Sequence, residues 1–219
     1  MYNRNIFIFA CLMFVITVLL PAQEKTYSPD EVIKQLLQSN SEFKESLSLN
    51  TAVNETLKRT AKGQHPYAIV LTCADSRVVP EIIFNKTIGE LFVIRVAGNI
   101  IDESTLGSIE YAAKHLHSPY FLVLGHTHCG AVHAAVAGGS YSPSINAIVE
   151  SILPAVNISR HENSSEEEIN EAAIRENVFL QINNALSKSD ILRELVSSNQ
   201  LKIGGGIYDI LTGKVEFIK

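Results

Sequence analysis

The stretch Leu71-Thr72-Cys73-Ala74-Asp75-Ser76-Arg77 decides the fold, because an apolar run ends in it and three reactive side chains follow at alternate positions. The run over residues 67–72 predicts a buried strand. Cys73 supplies a soft metal ligand, Asp75 a carboxylate and Arg77 a fixed positive charge. A thiolate beside a carboxylate is electrostatically unfavourable unless positive charge lies close to both. The stretch therefore predicts a strand that ends at a site where Arg77, a metal ion or both supply that charge.

A second reactive stretch, Gly125-His126-Thr127-His128-Cys129-Gly130, follows another apolar run. Zinc prefers thiolate and imidazole ligands, and His126 and Cys129 stand three positions apart, close enough to bind one ion. Cys73, at the end of a neighbouring strand, supplies a third ligand. Three protein ligands leave one tetrahedral position open, which is typical of catalytic rather than structural zinc sites.

Strands alternate with helices between and after these stretches. Apolar runs over residues 67–72, 91–96 and 120–124 predict three strands, with helical patterns between them. This alternation predicts an α/β fold with a mostly parallel central sheet flanked by helices, with the site at the carboxyl ends of the strands. Residues 201–210 and 215–218 predict two more strands joined by a hairpin turn, an antiparallel extension at the C-terminus.

The region before the first strand predicts an N-terminal helical arm. Ser28-Pro29-Asp30-Glu31 combines an N-cap, a proline at the first helical position and a capping-box glutamate. We expect this helix to end near Asn40 and a second, polar helix to cover residues 41–62. Later in the chain, a helix that begins near Ile145 is expected to be interrupted at Pro154.

The N-terminus has the pattern of a secretory signal. Arg4 gives a short positive region, and residues 6–20 are apolar and uncharged. Fifteen helical residues span only about 22 Å, less than the ~30 Å hydrocarbon core of a bilayer. Leu20-Pro21-Ala22 is a candidate cleavage site. We expect a signal peptide over residues 1–22 and a catalytic domain over residues 23–219, which is exported to a periplasm. After cleavage, no stable membrane association is expected. The alternative is that the segment is not cleaved and stays as a membrane anchor.

Export leaves a second interpretation of the cysteines open. The chain has three cysteines, and Cys11 is lost with the signal, so Cys73 and Cys129 remain. Because exported compartments oxidise paired thiols, a Cys73–Cys129 disulfide competes with a shared zinc ion. The neighbouring His126 and the Asp75–Arg77 pair favour zinc.

Length and charge limit the other classes of function. The 219 residues suit one domain of ordinary size with a single core. The chain has 23 acidic and 18 basic residues, a net charge of −5. Nucleic-acid binding is therefore not expected, since it requires a basic surface.

Cys73-Ala74-Asp75-Ser76-Arg77 and Gly125-His126-x-x-Cys129-Gly130 resemble the two signature motifs of the β-class carbonic anhydrases. Val96 departs from the pattern, since family members usually have asparagine there. Supporting matches extend over residues 28–219 and comprise Gly63-Gln64-x-Pro66, Ala97-Gly98-Asn99, Ser108-Ile109-Glu110-Tyr111-Ala112 and Tyr208-Asp209-Ile210-x-Thr212-Gly213-Lys214-Val215.

The resemblance implies one Zn²⁺ per chain, bound by Cys73, His126 and Cys129. It implies reversible hydration of carbon dioxide to bicarbonate and a proton by zinc-bound hydroxide, which forms because zinc lowers the pKa of bound water to about 7. The catalytic residues would be Asp75, which orients the hydroxide, and Arg77, which keeps Asp75 ionised through a charge-assisted contact.

The resemblance also implies a substrate site and an assembly. The Gln64 amide would hydrogen-bond a substrate oxygen, and Phe92 and Tyr111 would form an apolar pocket; the alternative is that both are ordinary core aromatics. A homodimer or homotetramer is implied, with residues 28–62 wrapping a neighbouring subunit. Two other functions stay open, hydrolysis of carbonyl sulfide or carbon disulfide at the same zinc site, and a zinc-binding or disulfide-bonded protein without catalysis.

Overall fold

A computed structural model describes residues 27–218, so the expected signal peptide over residues 1–22 lies outside the described part. The chain divides into two compact units, with the boundary after Ser46. In the described range, no helix combines the length and the apolar character needed to cross a bilayer.

The first unit contributes one described helix, α1 (Pro29–Ser46), which buries none of its residues. Its start is the predicted capping box, since the Glu31 N–H donates to Ser28 Oγ at 3.3 Å and the Ser28 N–H donates to Glu31 Oε2 at 2.8 Å. The helix continues past Asn40, where we expected it to end. Residues 40–46 contain no glycine or proline, so nothing in them breaks the backbone hydrogen-bond ladder.

The second unit is built on a five-stranded sheet in the order β2-β1-β3-β4-β5. The first four strands run parallel to one another, and β5 is antiparallel to β4, which confirms the predicted α/β class with its C-terminal antiparallel extension. The strands are β1 (Ala68–Thr72), β2 (Leu91–Arg95), β3 (Tyr120–His126), β4 (Lys202–Tyr208) and β5 (Val215–Ile218).

The strand register aligns the carboxyl ends of the central strands. Thr72, the last residue of β1, lies opposite Arg95 at the end of β2 and opposite Leu124 on β3. Every residue of β1 is buried, as expected for a strand between two neighbours with both faces covered. Residues that follow β1 and end β3 are therefore brought to one edge of the sheet.

The helices of the second unit pack around this sheet. Those that follow the two reactive stretches are α3 (Pro80–Ile83), after β1, and α5 (Gly130–Ala137), after β3. The full set is α2 (Thr51–Thr60), α3 (Pro80–Ile83), α4 (Glu103–Lys114), α5 (Gly130–Ala137), α6 (Pro143–Ser159), α7 (Glu166–Lys188) and α8 (Asp190–Ser197).

Helix α6 corrects the expected break at Pro154, because the helix runs through that residue. The proline ring removes one backbone donor, which would have bonded the carbonyl four residues earlier. Residues on both sides of the proline, Val149, Ile152, Ala155 and Val156, are buried in the core. Their packing holds both halves of α6 in place and outweighs the missing hydrogen bond.

Candidate metal centre

Three metal-ligating side chains meet at the carboxyl edge of the sheet. Cys73 directly follows β1, His126 is the last residue of β3, and Cys129 is the N-cap of α5. All three are buried, with 5%, 0% and 3% of their surfaces exposed. Their sulfur and nitrogen donor atoms all lie within 4.8 Å of one another. The structure therefore brings together the three residues that the sequence nominated as zinc ligands.

The distance between the two sulfurs fits a shared metal ion and not a disulfide. The Sγ atoms of Cys73 and Cys129 are 4.0 Å apart, and both cysteines are free. A disulfide requires a separation of about 2.05 Å. Two thiolates that each lie ~2.3 Å from a tetrahedral zinc ion are about 3.8 Å apart.

The imidazole of His126 is set in the tautomer that a metal needs. Its Nδ1 lies 2.9 Å from the carbonyl oxygen of Thr127, which can only accept a hydrogen bond, so Nδ1 carries the proton. The other nitrogen, Nε2, is buried and has no hydrogen-bond partner among the described residues. Such an orphaned polar atom costs about 1–3 kcal/mol unless something satisfies it. A metal ion bound by the Nε2 lone pair does so.

The two thiols are electrostatically coupled. The hydrogen bond from Cys129 lowers the pKa of Cys73, and the same bond together with burial raises the pKa of Cys129. Cys73 therefore ionises more readily than Cys129, which holds its proton more tightly. A divalent cation in place of that proton would stabilise both as thiolates, so the donor set fits Zn²⁺.

Asp75 and Arg77 form a bidentate ion pair two positions along the chain from Cys73. Arg77 Nε donates to Asp75 Oδ1 at 2.9 Å, and Arg77 Nη2 donates to Asp75 Oδ2 at 2.7 Å. The Arg77 backbone N–H adds a third bond, to Oδ1 at 3.0 Å. These bonds from Arg77 hold the pKa of Asp75 well below its usual range. The carboxylate is therefore ionised and fixed in direction, two positions after Cys73.

Arg95 is a functional residue that the sequence did not single out. From the end of β2, its Nη2 donates to the carbonyl oxygen of Asp75 at 2.6 Å, and its Nε lies 3.4 Å from the carbonyl oxygen of Cys73. One guanidinium thus holds the backbone that carries both a metal ligand and the carboxylate. The sequence contains one sign of this role: Arg95 is a charged residue at the end of an apolar strand, at the edge of the sheet where the site forms.

Gly98, which the sequence singles out only as part of Ala97-Gly98-Asn99, contacts a metal ligand directly. Its backbone N–H donates to the Cys73 sulfur at 3.3 Å. Gly98 has φ +68°, and a Cβ added there would lie 2.6 Å from Ile152 Cδ1 and 3.2 Å from Ala131 Cβ. Both the backbone conformation and the close approach therefore require glycine.

The structure brings two of the three predicted substrate residues into contact. Phe92 and Tyr111 are brought together, with ring centroids 6.3 Å apart, but 47% of Tyr111 is exposed. Phe92 is partly buried against the core. Gln64 is exposed in the connection between α2 and β1, and within residues 27–218 it makes no hydrogen bond to either ring or to the metal ligands.

Several known proteins are similar to this chain in sequence and in fold. Residues 68–215 match the family model described as carbonic anhydrase. Carbonic anhydrase 2 of Mycobacterium tuberculosis is 38% identical over 162 residues, which cover 70% of this chain and 75% of the relative. A carbonic anhydrase of Mycolicibacterium smegmatis is 32% identical over 194 residues, 86% of this chain and 93% of the relative. The crystal structure of the β-carbonic anhydrase CafA of Aspergillus fumigatus is 26% identical, with a TM-score of 0.77 over 86% of this chain and 91% of that one.

Proposed function

We propose, from the premise that this chain belongs to the carbonic anhydrase family and to its β class, that it hydrates carbon dioxide reversibly to bicarbonate and a proton. The observation that carries this proposal is the convergence of Cys73, His126 and Cys129 within 4.8 Å, beside the bidentate Asp75–Arg77 pair. Cys73, His126 and Cys129 would hold a zinc ion, which when bound would supply a Lewis acid that lowers the pKa of a bound water to about 7.

The ligands match the ion in charge as well as in position. Cys73 and Cys129 supply two negative charges as thiolates, which neutralise a divalent cation. His126 supplies a neutral Nε2, because the Thr127 carbonyl holds the proton on Nδ1.

Asp75 acts on the attacking water. As an ionised carboxylate it accepts a hydrogen bond from that water, which directs the oxygen lone pair towards the carbon of the substrate. Arg77 holds both carboxylate oxygens, so Asp75 has no freedom to turn away. Arg95 secures the carbonyl of Asp75, which fixes the backbone that carries the carboxylate.

We infer that Gln64, Phe92 and Tyr111 form the substrate site. The Gln64 amide donates to an oxygen of carbon dioxide, and the two aromatic rings give an apolar wall that suits a nonpolar gas. Exposure of Tyr111 supports a site that is completed by a second copy of the chain.

We propose further that the chain assembles as a homodimer or homotetramer through α1. Several apolar side chains of this helix are exposed and repeat at helical spacing, namely Val32, Ile33, Leu36, Leu37 and Phe43. Such a stripe is stabilised when another surface covers it. Sedimentation of the active enzyme is expected to give at least twice the mass of one chain, and a fully active single chain would contradict this.

We also propose export to a periplasm, supported by the uncharged apolar run after Arg4 and the candidate cleavage site at Ala22. A mature N-terminus near Gln23 in the exported fraction is the measurement that checks it.

The proposed activity is tested on the purified full-length protein by metal analysis and by the rate of carbon dioxide hydration. We expect one zinc per chain, two free thiols, hydration that is lost on removal of zinc by a chelator, and recovery when Zn²⁺ is added back. Zinc-loaded protein that hydrolyses carbonyl sulfide or carbon disulfide but does not hydrate carbon dioxide would overturn the proposed substrate. A Cys73–Cys129 disulfide without metal would overturn the zinc site itself.

A further inference from the structure

Two amide side chains on α7, Asn177 and Gln181, are buried in the core although neither is a ligand in the metal centre. They are 1% and 0% exposed, and they stand four positions apart on one face of the helix. A buried amide needs hydrogen-bond partners, whereas an apolar side chain would fill the same space without them. The partners of these amides therefore indicate what they do.

Two of the partners belong to the backbone segment over residues 98–101, and Gln181 has two more, the Ser151 carbonyl at 3.4 Å and the Asn184 side-chain amide at 3.2 Å. Asn177 Nδ2 donates to the carbonyl oxygen of Gly98 at 2.8 Å, and the N–H of Ile101 donates to Gln181 Oε1 at 2.9 Å. Gln181 Nε2 donates to Asn177 Oδ1 at 2.9 Å, which joins the two amides. Because a carbonyl can only accept and an N–H can only donate, each amide has one orientation that satisfies all of these bonds. Helix α7 thus holds both ends of the segment.

This segment touches the metal centre through Gly98, whose N–H donates to the Cys73 sulfur at 3.3 Å. The N–H and the carbonyl of Gly98 belong to two peptide planes that meet at its Cα. Glycine allows wide rotation about that atom, so the direction of the N–H depends on what holds the rest of the residue. The Asn99 N–H, which donates to the Val96 carbonyl at 2.9 Å, closes the turn around Gly98, and the bond from Asn177 anchors the Gly98 carbonyl itself.

We propose that Asn177 and Gln181 are positioning residues of the zinc site, which hold the Gly98 N–H on the Cys73 sulfur and so strengthen zinc binding. This inference rests on the proposed role of Cys73 as a zinc ligand. A hydrogen bond to a ligand sulfur keeps it oriented and stabilises its negative charge. Without the anchor, the Gly98 peptide and the Cys73 side chain rotate independently. Zinc binding must then also order these groups, which weakens the affinity for zinc.

The test measures zinc affinity of Asn177→Ala and Gln181→Met by competition with a chelator, starting from the zinc-loaded enzyme. Each variant is expected to bind zinc about 10-fold to 100-fold more weakly than wild type, the range known for partners of metal ligands. With Co²⁺ in place of zinc, the thiolate-to-metal absorption band should move to longer wavelength, because a sulfur that loses a hydrogen bond gives up electron density more readily.

Ser118→Ala is the matched control. Ser118 is 1% exposed and its hydroxyl donates to the Pro66 carbonyl at 2.6 Å, a buried bond that involves no residue of the 98–101 segment. This variant is expected to lower the melting temperature but to keep the affinity and the cobalt spectrum of wild type. Should neither α7 variant fold, Asn177→Ser takes their place, since its hydroxyl stays polar beside Gln181 and is too short to donate to the Gly98 carbonyl in place of the Asn177 amide.

Zinc affinity and a cobalt spectrum that stay at wild-type values in a folded α7 variant would overturn the positioning role and leave the proposed function intact. An equal loss of affinity in Ser118→Ala would overturn it as well, because the effect would then follow from general destabilisation. Failure of the wild-type protein to bind zinc would instead overturn the proposed function.

Discussion

His126→Asn is expected to abolish carbon dioxide hydration and to weaken zinc binding by more than about 100-fold, since loss of an outer partner of a ligand alone costs 10-fold to 100-fold. The imidazole is fully buried, and its Nε2 has no hydrogen-bond partner within residues 27–218, so it is available to a metal ion. The asparagine side chain is shorter than that of histidine and cannot reach the position of Nε2. The metal ion would therefore have only the two sulfur ligands. Metal analysis after dialysis and the hydration rate measure both effects.

The control is the same substitution two positions later, His128→Asn. His128 is exposed, lies outside the ligand cluster and has φ +55°, a backbone conformation that asparagine tolerates. We expect one zinc per chain and a hydration rate within about threefold of wild type, as for surface substitutions in general. Retention of zinc and activity by His126→Asn, or loss of both in His128→Asn, would show that the ligand has been assigned to the wrong histidine.

Asp75→Asn is expected to lower kcat/KM for hydration by about 100-fold to 10,000-fold, the range for a positioned group that handles a proton, while one zinc per chain is retained. The amide has nearly the shape of the carboxylate but lacks its charge. With its oxygen in the place of Oδ1, it can still accept from Arg77 Nε and from the Arg77 N–H, but the bond from Arg77 Nη2 is lost and the NH₂ group faces the guanidinium unfavourably. The direction of the attacking water is then lost although the metal ligands are unchanged.

A second aspartate–arginine pair supplies the comparison. Asp190 pairs with Arg193 one turn along α8, and its side chain is 94% exposed. Surface pairs of this kind contribute little, so Asp190→Asn should leave both zinc content and hydration at wild-type values. Near-normal hydration in zinc-loaded Asp75→Asn would remove Asp75 from the mechanism. Loss of zinc in that variant would mean that Asp75 supports the metal rather than the reaction.

The sequence predicted much of the fold because the local patterns and the tertiary structure agree. Apolar runs with reactive residues at their ends gave the parallel strands β1, β2 and β3, and the motifs around Cys73 and His126 gave the metal ligands. Errors arose where packing overrode a local rule. Helix α6 continues through Pro154 because buried residues on both sides hold it in place.

By itself, then, the sequence determined which residue types are available and at which strand ends they lie, since these depend on local pattern. Only the tertiary structure decided what holds them. Arg95 reaches the Asp75 carbonyl across 20 positions, and Asn177 reaches the Gly98 carbonyl across 79. Both bonds end on backbone carbonyl groups, which every residue has. The residue types in the bound segments therefore give no sign in the sequence that these bonds will form. Their partners become identifiable only once strands and helices have been packed together.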